Sequence, residues 1–176
     1  MLPIQKMSDA LIGSRILMID DSVSFRRLTA AILDKFGVAS VTMAGSLAEG
    51  IRKMNYLCQD KYGAPEFDLV LMDVNLPDGN GIEACQFISS HAYTYNIPIV
   101  VMSGTSYAVT INQAFEAGAS DFLQKPLAGS ILANRLGMLM TLKLQESGEY
   151  GAESTPVFND AESFDQSSCG IGLKFV

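Results

Sequence analysis

The sequence predicts an α/β fold, a doubly wound five-stranded parallel sheet with helices on both faces. Short apolar runs of strand length alternate along the chain with segments in which apolar residues recur at helical spacing. Right-handed crossovers between parallel strands place helices on both faces of such a sheet. With 176 residues, of which 48% are hydrophobic, the chain is long enough to bury one well-packed core.

The first strand and helix follow directly from the pattern of apolar residues. Residues 15–21 form an apolar run of strand length that ends in two acids. Apolar residues then recur at helical spacing, at Phe25, Leu28, Ile32 and Phe36. Gly37 follows as a C-terminal stop, and residues 40–44 fit a short second strand.

The second helix and the third strand are predicted from capping residues and from a further apolar run. Ser46 precedes a helix that runs to about Cys58, and Glu49 three residues later completes a capping box. Residues 68–73 contain four consecutive apolar residues and end in an acid, so they are expected to form the buried third strand. The composition of residues 75–81, rich in Asn, Gly and Pro, indicates a turn.

The second half of the chain continues the alternation. A helix is expected over residues 82–90 and a fourth strand over 97–103. A further helix over 109–117 precedes the fifth strand at 120–125, and a last helix covers 128–144. The sequence has no internal repeat. Five strands alternating with five helices are typical of a parallel sheet.

The two ends of the chain are expected to lie outside this domain. Residues 1–13 are predicted to be a loose arm, 14–144 the domain, and 145–176 an acidic tail that is flexible or docked. The last helix is apolar over more than one stripe, which is more than a surface helix needs. It is either a loosely patterned core helix or a surface for a second subunit in a homodimer, or for the tail. Apolar residues alternate near the end of the tail, as in a strand or docking peptide: Ile171, Leu173 and Phe175.

Charge, cysteines and hydropathy exclude several classes of protein. The net charge is −7, and from Glu146 onward there are six acids and one lysine. The rest of the chain has 13 acids and 11 bases, which is no basic footprint for direct binding of nucleic acid. No apolar stretch is long enough for a membrane span, and the first residues lack the pattern of a secretory signal. Three widely spaced cysteines indicate reduced thiols in a cytoplasmic protein.

Polar side chains end the predicted strands. The first strand ends in Asp20 and Asp21, the third in Asp73, the fourth in Ser103 and the fifth in Lys125. Because ligands of open α/β sheets bind outside the carboxyl ends of the strands, these groups are expected to share one crevice. Three carboxylates, a hydroxyl and an ammonium indicate a site for a cation and a phosphoryl group. A carboxylate there can accept a phosphoryl group as an aspartyl phosphate.

The ordered set of motifs closely resembles the receiver domains of two-component response regulators, in particular single-domain members of the chemotaxis-regulator type. The motifs that carry the resemblance lie in order within residues 14–144: the pair Asp20-Asp21, Asp73 followed by Pro77 and Gly79, Ser103, and Lys125-Pro126. The resemblance implies a flavodoxin-like (βα)5 fold with strand order 2-1-3-4-5.

The resemblance also implies a reaction and a set of partners. Asp73 would accept a phosphoryl group from a phosphohistidine on a sensor histidine kinase or a histidine phosphotransfer protein. Mg²⁺ would be held by Asp21 and Asp73, by Asp20 directly or through water, and by the backbone carbonyl of Asn75. The domain would catalyse its own phosphorylation and slow autodephosphorylation. It would act as a signalling switch toward a downstream protein target, and not as an enzyme.

Three residues of the fourth and fifth strands receive roles by the same resemblance. Lys125 would pair with the phosphoryl oxygens, and Ser103 would donate a hydrogen bond to one of them. New charge on Asp73 would draw Ser103 toward it, and Phe122 would fill the vacated space. Phe122 is also compatible with a plain core position. The Lys125–Pro126 bond is expected to be cis.

Three alternative functions fit parts of this pattern. A haloacid dehalogenase-like phosphatase also uses a strand-end aspartate and Mg²⁺, but it needs a second acid where this chain has Asn75. A flavodoxin-like electron carrier needs a Ser-, Thr- and Gly-rich phosphate loop after the first strand, where Asp20 and Asp21 would repel a flavin phosphate. A receiver that works as a phosphorylation-independent scaffold is disfavoured by the complete acceptor set.

Overall fold

The computed structural model describes residues 8–55, 67–90, 96–105 and 107–149. Within these residues, five strands form the main sheet: β1 (Arg15–Ile19), β2 (Ser40–Ala44), β3 (Leu69–Asp73), β4 (Ile99–Ser103) and β5 (Asp121–Gln124). Five helices accompany them: α1 (Val23–Asp34), α2 (Leu47–Asn55), α3 (Gly81–Ser89), α4 (Ala108–Glu116) and α5 (Gly129–Glu149). A 3-10 turn, Asp9–Leu11, precedes β1, and a short hairpin pairs Asn75–Leu76 with Gly79–Asn80 between β3 and α3.

The main sheet is parallel throughout and has the strand order β2-β1-β3-β4-β5. Ile19 at the end of β1 lies opposite Met72, and Asp73 at the end of β3 lies opposite Met102. The carboxyl ends of the strands therefore meet at one edge. The predicted fold class, a doubly wound sheet of flavodoxin-like strand order, is confirmed.

Alternate strand residues supply two hydrophobic cores, one on each face of the sheet. The core beneath α1 and α5 includes Ile16, Met18, Leu71, Leu132 and Leu136. The core beneath α2, α3 and α4 includes Leu17, Ile19, Met72, Cys85 and Ala114. Every residue of β3 and β4 is buried, as expected for parallel strands that are covered on both faces.

The predicted loose arm is wrong for residues 8–13, because they pack on the domain; residues 1–7 lie outside the described part of the chain. Leu11 ends the 3-10 turn with its side chain completely buried in the core beneath α1 and α5. The hydroxyl of Ser14 donates to the carbonyl of Leu11 at 2.7 Å, and the amide of Gly13 donates to the carbonyl of Gly37 at 2.8 Å. The turn is therefore fastened to the segment that follows α1.

The ends of the helices agree with the prediction in one case and differ in another. Gly37 has a φ of 77°, a left-handed conformation that ends the α1 segment as predicted. In contrast, α5 continues to Glu149 and crosses the predicted domain boundary at residue 145. The predicted end of α2 at Cys58 and the tail from residue 150 lie outside the described residues, so the division into domain and tail stays a prediction. Among the helices described, none is long and apolar enough to cross a bilayer.

The capping box of α2 differs from the prediction by one residue. Ser46 accepts a hydrogen bond from the amide of Glu49 at 3.2 Å, as expected. The Glu49 carboxylate, however, accepts from the amide of Gly45 at 2.7 Å. This bond and the ion pair with Lys53 hold the pKa of Glu49 below its usual value. The first turn of α2 is thereby tied to the loop that follows β2.

Candidate functional site

Three aspartates lie together at the carboxyl edge of the sheet. Asp20 and Asp21 follow β1, and Asp73 ends the neighbouring strand β3. Asp20 is completely buried, Asp73 is 6% exposed, and Asp21 faces solvent. One carboxylate oxygen of each lies within 4.8 Å of the others. The structure thus brings together the three acids that end the predicted strands.

Lys125, directly after β5, neutralises part of this negative charge. Its Nζ lies 2.5 Å from Oδ2 of Asp20 and 2.9 Å from Oδ2 of Asp73. The ring of Phe25 on α1 covers the ammonium at 4.5 Å from the ring centroid, a cation–π contact. The bond between Lys125 and Pro126 is cis, as predicted. One ammonium does not balance three carboxylates, so the crevice favours a further cation.

The Asp73 carboxylate is only partly compensated by its neighbours. Burial raises the pKa of Asp73, the ammonium of Lys125 lowers it, and Asp20 raises it; the net direction is upward. Oδ1 of Asp73 is buried and has no hydrogen-bond partner in the part of the chain that the structure describes. An orphaned carboxylate oxygen beside two further acids suits a hard divalent cation, so these residues fit Mg²⁺.

Ser103 lies at the end of β4 and is completely buried. Its Oγ accepts a hydrogen bond from the amide of Thr105 at 3.1 Å and lies 3.3 Å from the Thr105 hydroxyl. Between them, Gly104 borders open space, because no atom lies within 4 Å of the position of a Cβ there. The hydroxyl is thus held at the carboxyl edge, and its bond to a phosphoryl oxygen stays a prediction.

Phe122 lies on β5 and is 8% exposed. Its side chain belongs to the core beneath α2, α3 and α4. Both interpretations of Phe122, the core residue and the switch aromatic, agree with this position. The switch role therefore stays a prediction.

The hairpin after β3 carries Asn75, whose backbone carbonyl is the remaining predicted metal ligand. Asn75 pairs with Asn80, and Leu76 pairs with Gly79. Asn75 is exposed and follows Asp73 closely in the chain, so its backbone lies beside the crevice. Its role as a ligand stays a prediction.

Several residues that support the site were not found by sequence reasoning. Arg26 on α1 donates to the backbone carbonyl of Asp20, and the amide of Ser22 donates to Oδ1 of Asp20 at 2.8 Å. Asp78 on the hairpin accepts hydrogen bonds from the first amides of α2. Phe25 was assigned only to the apolar face of its helix. The contacts of Phe25 with Lys125 and of Asp78 with α2 join residues that are far apart in the sequence, so no local pattern marks them.

A parallel sheet of this order, with clustered acids and a lysine at its carboxyl edge, is characteristic of the switch domains of two-component signalling. The chain belongs to the response regulator receiver domain family, which matches residues 16–136 and so more than half of the chain. Receiver domains are signalling switches that interact with sensor histidine kinases and with downstream targets. The resemblance inferred from the sequence motifs is confirmed.

Individual relatives agree with this assignment. The chain is 31% identical over 124 residues to chemotaxis protein CheY of Thermotoga maritima. The matched region covers 70% of this chain and 95% of CheY. It is 32% identical over 123 residues to the CAI-1 autoinducer sensor kinase/phosphatase CqsS of Vibrio cholerae, covering 69% of this chain but only 17% of CqsS. A solved two-component response regulator from Clostridium difficile is 27% identical, with a TM-score of 0.62 over 73% of this chain and 97% of that one.

Proposed function

We propose that this chain accepts a phosphoryl group from a phosphohistidine donor onto Asp73, with Mg²⁺, and that phosphorylation switches a protein-interaction surface. The observation that carries the proposal is the state of the Asp73 carboxylate. It is buried, one oxygen lies 2.9 Å from the ammonium of Lys125, and the other has no hydrogen-bond partner among the described residues. A carboxylate held in this way has an oxygen that no protein donor engages, as a new bond to a cation or to phosphorus requires.

Phosphoryl transfer to Asp73 exchanges one bond to phosphorus for another. An oxygen of Asp73 attacks the phosphorus, a P–O bond forms, and the P–N bond to the donor imidazole breaks. The imidazole nitrogen keeps the electron pair of that bond and takes a proton from solvent. The product is an aspartyl phosphate. Because charge is spread over the equatorial oxygens during transfer, the site must supply positive charge and positioning.

Two kinds of group would supply that positive charge. Mg²⁺ would be held by the carboxylates of Asp20, Asp21 and Asp73 and by the backbone carbonyl of Asn75. When bound, the cation neutralises charge on the acids and on the phosphoryl oxygens. The ammonium of Lys125, which pairs with two of the acids here, would pair with the phosphoryl oxygens. The hydroxyl of Ser103 would donate a hydrogen bond to another phosphoryl oxygen.

The proposed output surface consists of α4, β5 and α5. New charge on Asp73 would draw Ser103 toward it, and Phe122 would adjust to fill the space. This surface exposes large apolar side chains: Tyr107, Val109, Phe115, Ile131, Met138 and Leu142. These side chains suit a downstream protein target, and a homodimer through α5 is a further prediction.

The upstream partner is proposed to be a sensor histidine kinase or a histidine phosphotransfer protein. Direct contact with nucleic acid or a membrane is not part of the proposal, because the net charge is −7. A cytoplasmic location is proposed as well. It agrees with Cys85, a free thiol that is buried in the core.

The test is the intact mass of the protein after incubation with Mg²⁺ and phosphoramidate, a small donor with a P–N bond. The wild type is expected to gain a single phosphoryl group. Asp73→Asn, which keeps the size of the side chain but weakens its nucleophilicity, is expected to gain none. Chelation of Mg²⁺ with EDTA should prevent the adduct in the wild type.

The other outcomes separate the alternatives. An adduct that persists in Asp73→Asn would place the acceptor on another residue. No adduct from phosphoramidate, acetyl phosphate or a phosphorylated histidine phosphotransfer protein would favour a phosphorylation-independent scaffold. Continuous release of inorganic phosphate from small phosphate esters would favour a phosphatase of the haloacid dehalogenase type.

A further inference from the structure

We propose that Asp78 is a positioning residue for the cation site, because it fixes the hairpin that carries Asn75 to the first turn of α2. The inference rests on the proposed function, since it concerns the site that would hold Mg²⁺. Asp78 is not offered as a ligand. Both of its carboxylate oxygens are already engaged by backbone amides of α2.

The base of the hairpin is packed tightly against β3. The amide of Gly81 donates to the carbonyl of Val74 at 2.8 Å. A Cβ on Gly81 would lie 1.9 Å from the carbonyl oxygen of Asp73, so only glycine fits without a backbone shift. Asn75 pairs with Asn80 directly above this base. The two ends of the hairpin, at Val74 and Gly81, are therefore fixed, and the residues between them, Asn75 included, need a separate anchor.

The tip of the hairpin is anchored by two charge-assisted hydrogen bonds. Oδ1 of Asp78 accepts from the amide of Leu47, and Oδ2 accepts from the amide of Ala48, each at 2.8 Å. Amides in the first turn have no partner within the helix, and the positive end of the helix dipole favours a carboxylate. Burial raises the pKa of Asp78, but these amides outweigh it and the net shift is downward. The carboxylate is therefore charged in this contact.

The same end of α2 is also connected to the Asp20 side of the crevice. The amide of Asp20 donates to the carbonyl of Ala44, the last residue of β2, at 3.0 Å. Arg26 donates to the carbonyl of Asp20. Its guanidinium lies beside Gly45, 3.4 Å from the position that a Cβ would take there. The loop that leads into α2 thus lies beside the backbone of Asp20. The first amides of α2 itself bind the hairpin that carries Asn75. The first turn of α2 bridges the two halves of the proposed cation site.

Loss of the Asp78 carboxylate would release the hairpin tip without removing any of the proposed ligands. The Asn75 carbonyl would then have to be ordered at the moment a cation binds, which reduces affinity. Groups that orient metal ligands commonly account for about tenfold or more in affinity when removed. We therefore expect Asp78→Ala to bind Mg²⁺ about tenfold more weakly.

The experiment is an NMR titration of the full chain with Mg²⁺, well below the melting temperature of each variant. Asp78→Ala is compared with Asp78→Asn, which keeps one acceptor oxygen and should have an intermediate dissociation constant. Glu83→Ala removes one exposed acid from the first turn of α3 and controls for charge. Val38→Ala removes buried methyl groups just before the first residue of β2, at the end of that strand away from the proposed site. It controls for stability. Both controls should keep the wild-type dissociation constant.

Each remaining outcome overturns a stated part of the argument. A folded Asp78→Ala with wild-type affinity for Mg²⁺ overturns the positioning role and leaves the cation site intact. Equal weakening by Val38→Ala and Asp78→Ala overturns it as well, because global stability would then set the affinity. A wild-type chain that binds no Mg²⁺ overturns the cation site itself. If Asp78→Ala does not fold, Asp78→Asn decides, and unchanged affinity there overturns the role.

Discussion

At the scale of single residues, the partners of an acid decide what it can do. Asp68 directly precedes β3 and Asp73 ends it, and their pKa values shift in opposite directions. Burial raises both. At Asp68, the amide and guanidinium of Arg15 outweigh burial and lower the pKa, with bonds of 2.8, 3.2 and 3.3 Å. At Asp73 the single ammonium of Lys125 does not, so the carboxyl end of the strand carries the unsatisfied acid.

The Arg15–Asp68 pair gives a pH-dependent prediction. The pKa of Asp68 is lower in the folded chain than in the unfolded chain. At a pH between these two pKa values, the unfolded chain therefore binds more protons. The stabilisation is therefore complete above the unfolded value, about 3.9, and is lost as the pH falls through the folded value. Asp68→Asn should lower the free energy of unfolding by about 1 kcal/mol at neutral pH, a small value because both partners are partly exposed.

The measurement is urea unfolding of the wild type and Asp68→Asn at about pH 7 and about pH 3. The difference between the two chains should shrink at the acid pH. An equal difference at both values would show that the asparagine disturbs packing and that the charge of Asp68 contributes nothing.

The sequence predicts the site residues that end strands and misses those that act across elements. Asp73, Ser103 and Lys125 follow apolar runs of strand length, so topology alone brings them to one edge. By contrast, the sequence predicts Asp78 only as part of the turn over residues 75–81. Its role depends on α2 lying beside the hairpin, and no local pattern encodes that neighbour.

At the scale of secondary-structure elements, the long periodic segments were predictable and the short or polar ones were not. All five strands and five helices lie where the apolar pattern places them. The 3-10 turn was missed because a single buried side chain, Leu11, has no periodicity to detect. The end of α5 was missed because residues 145–149 have the polar composition of a linker. Extending an existing helix by a turn is nevertheless favourable, since only nucleation is costly.

The 3-10 turn gives a prediction with a matched control in the next residue. Leu11 is completely buried and Ile12 is 67% exposed. Leu11→Ala should lower the free energy of unfolding by about 2–5 kcal/mol, because it leaves a cavity beneath α5. Ile12→Ala should change it by less than about 0.5 kcal/mol. Denaturant unfolding of both variants measures the two values, and equal small losses would show that the turn is an arm after all.

At the scale of the whole molecule, the proposed site lies at the carboxyl edge of the sheet that separates the two cores. Phe25 approaches Lys125 from the α1 face, whereas Phe122 belongs to the core on the opposite face. Asp73 ends the central strand between them. Asp73 therefore ends a strand that is packed on both faces, and it contacts Lys125 at the edge of the sheet. This arrangement suits a switch, because packed cores shift between discrete arrangements and do not deform continuously.

The last prediction concerns the segment beyond α5. Every proposed site residue precedes Glu149, and within the described part of the chain the cores on both faces are formed by residues before it. Removal of residues 150–176 should therefore leave phosphorylation of Asp73 unchanged. The removed segment carries four acids and one lysine, so the net charge changes from −7 to −4. At physiological ionic strength the Debye length is about 8 Å, so a change of net charge by itself is expected to have little effect on the crevice.

The test compares the rates at which the full and shortened chains gain a phosphoryl group from phosphoramidate with Mg²⁺. The rates should agree within about twofold, because the proposed acceptor, lysine and cation ligands are the same in both. Asp73→Asn in the shortened chain controls for an adduct on another residue. A much slower shortened chain would show that the tail completes or regulates the site. In that case, hydrogen exchange of α5 with and without the tail would show whether the tail covers the exposed side chains of Ile131, Met138 and Leu142.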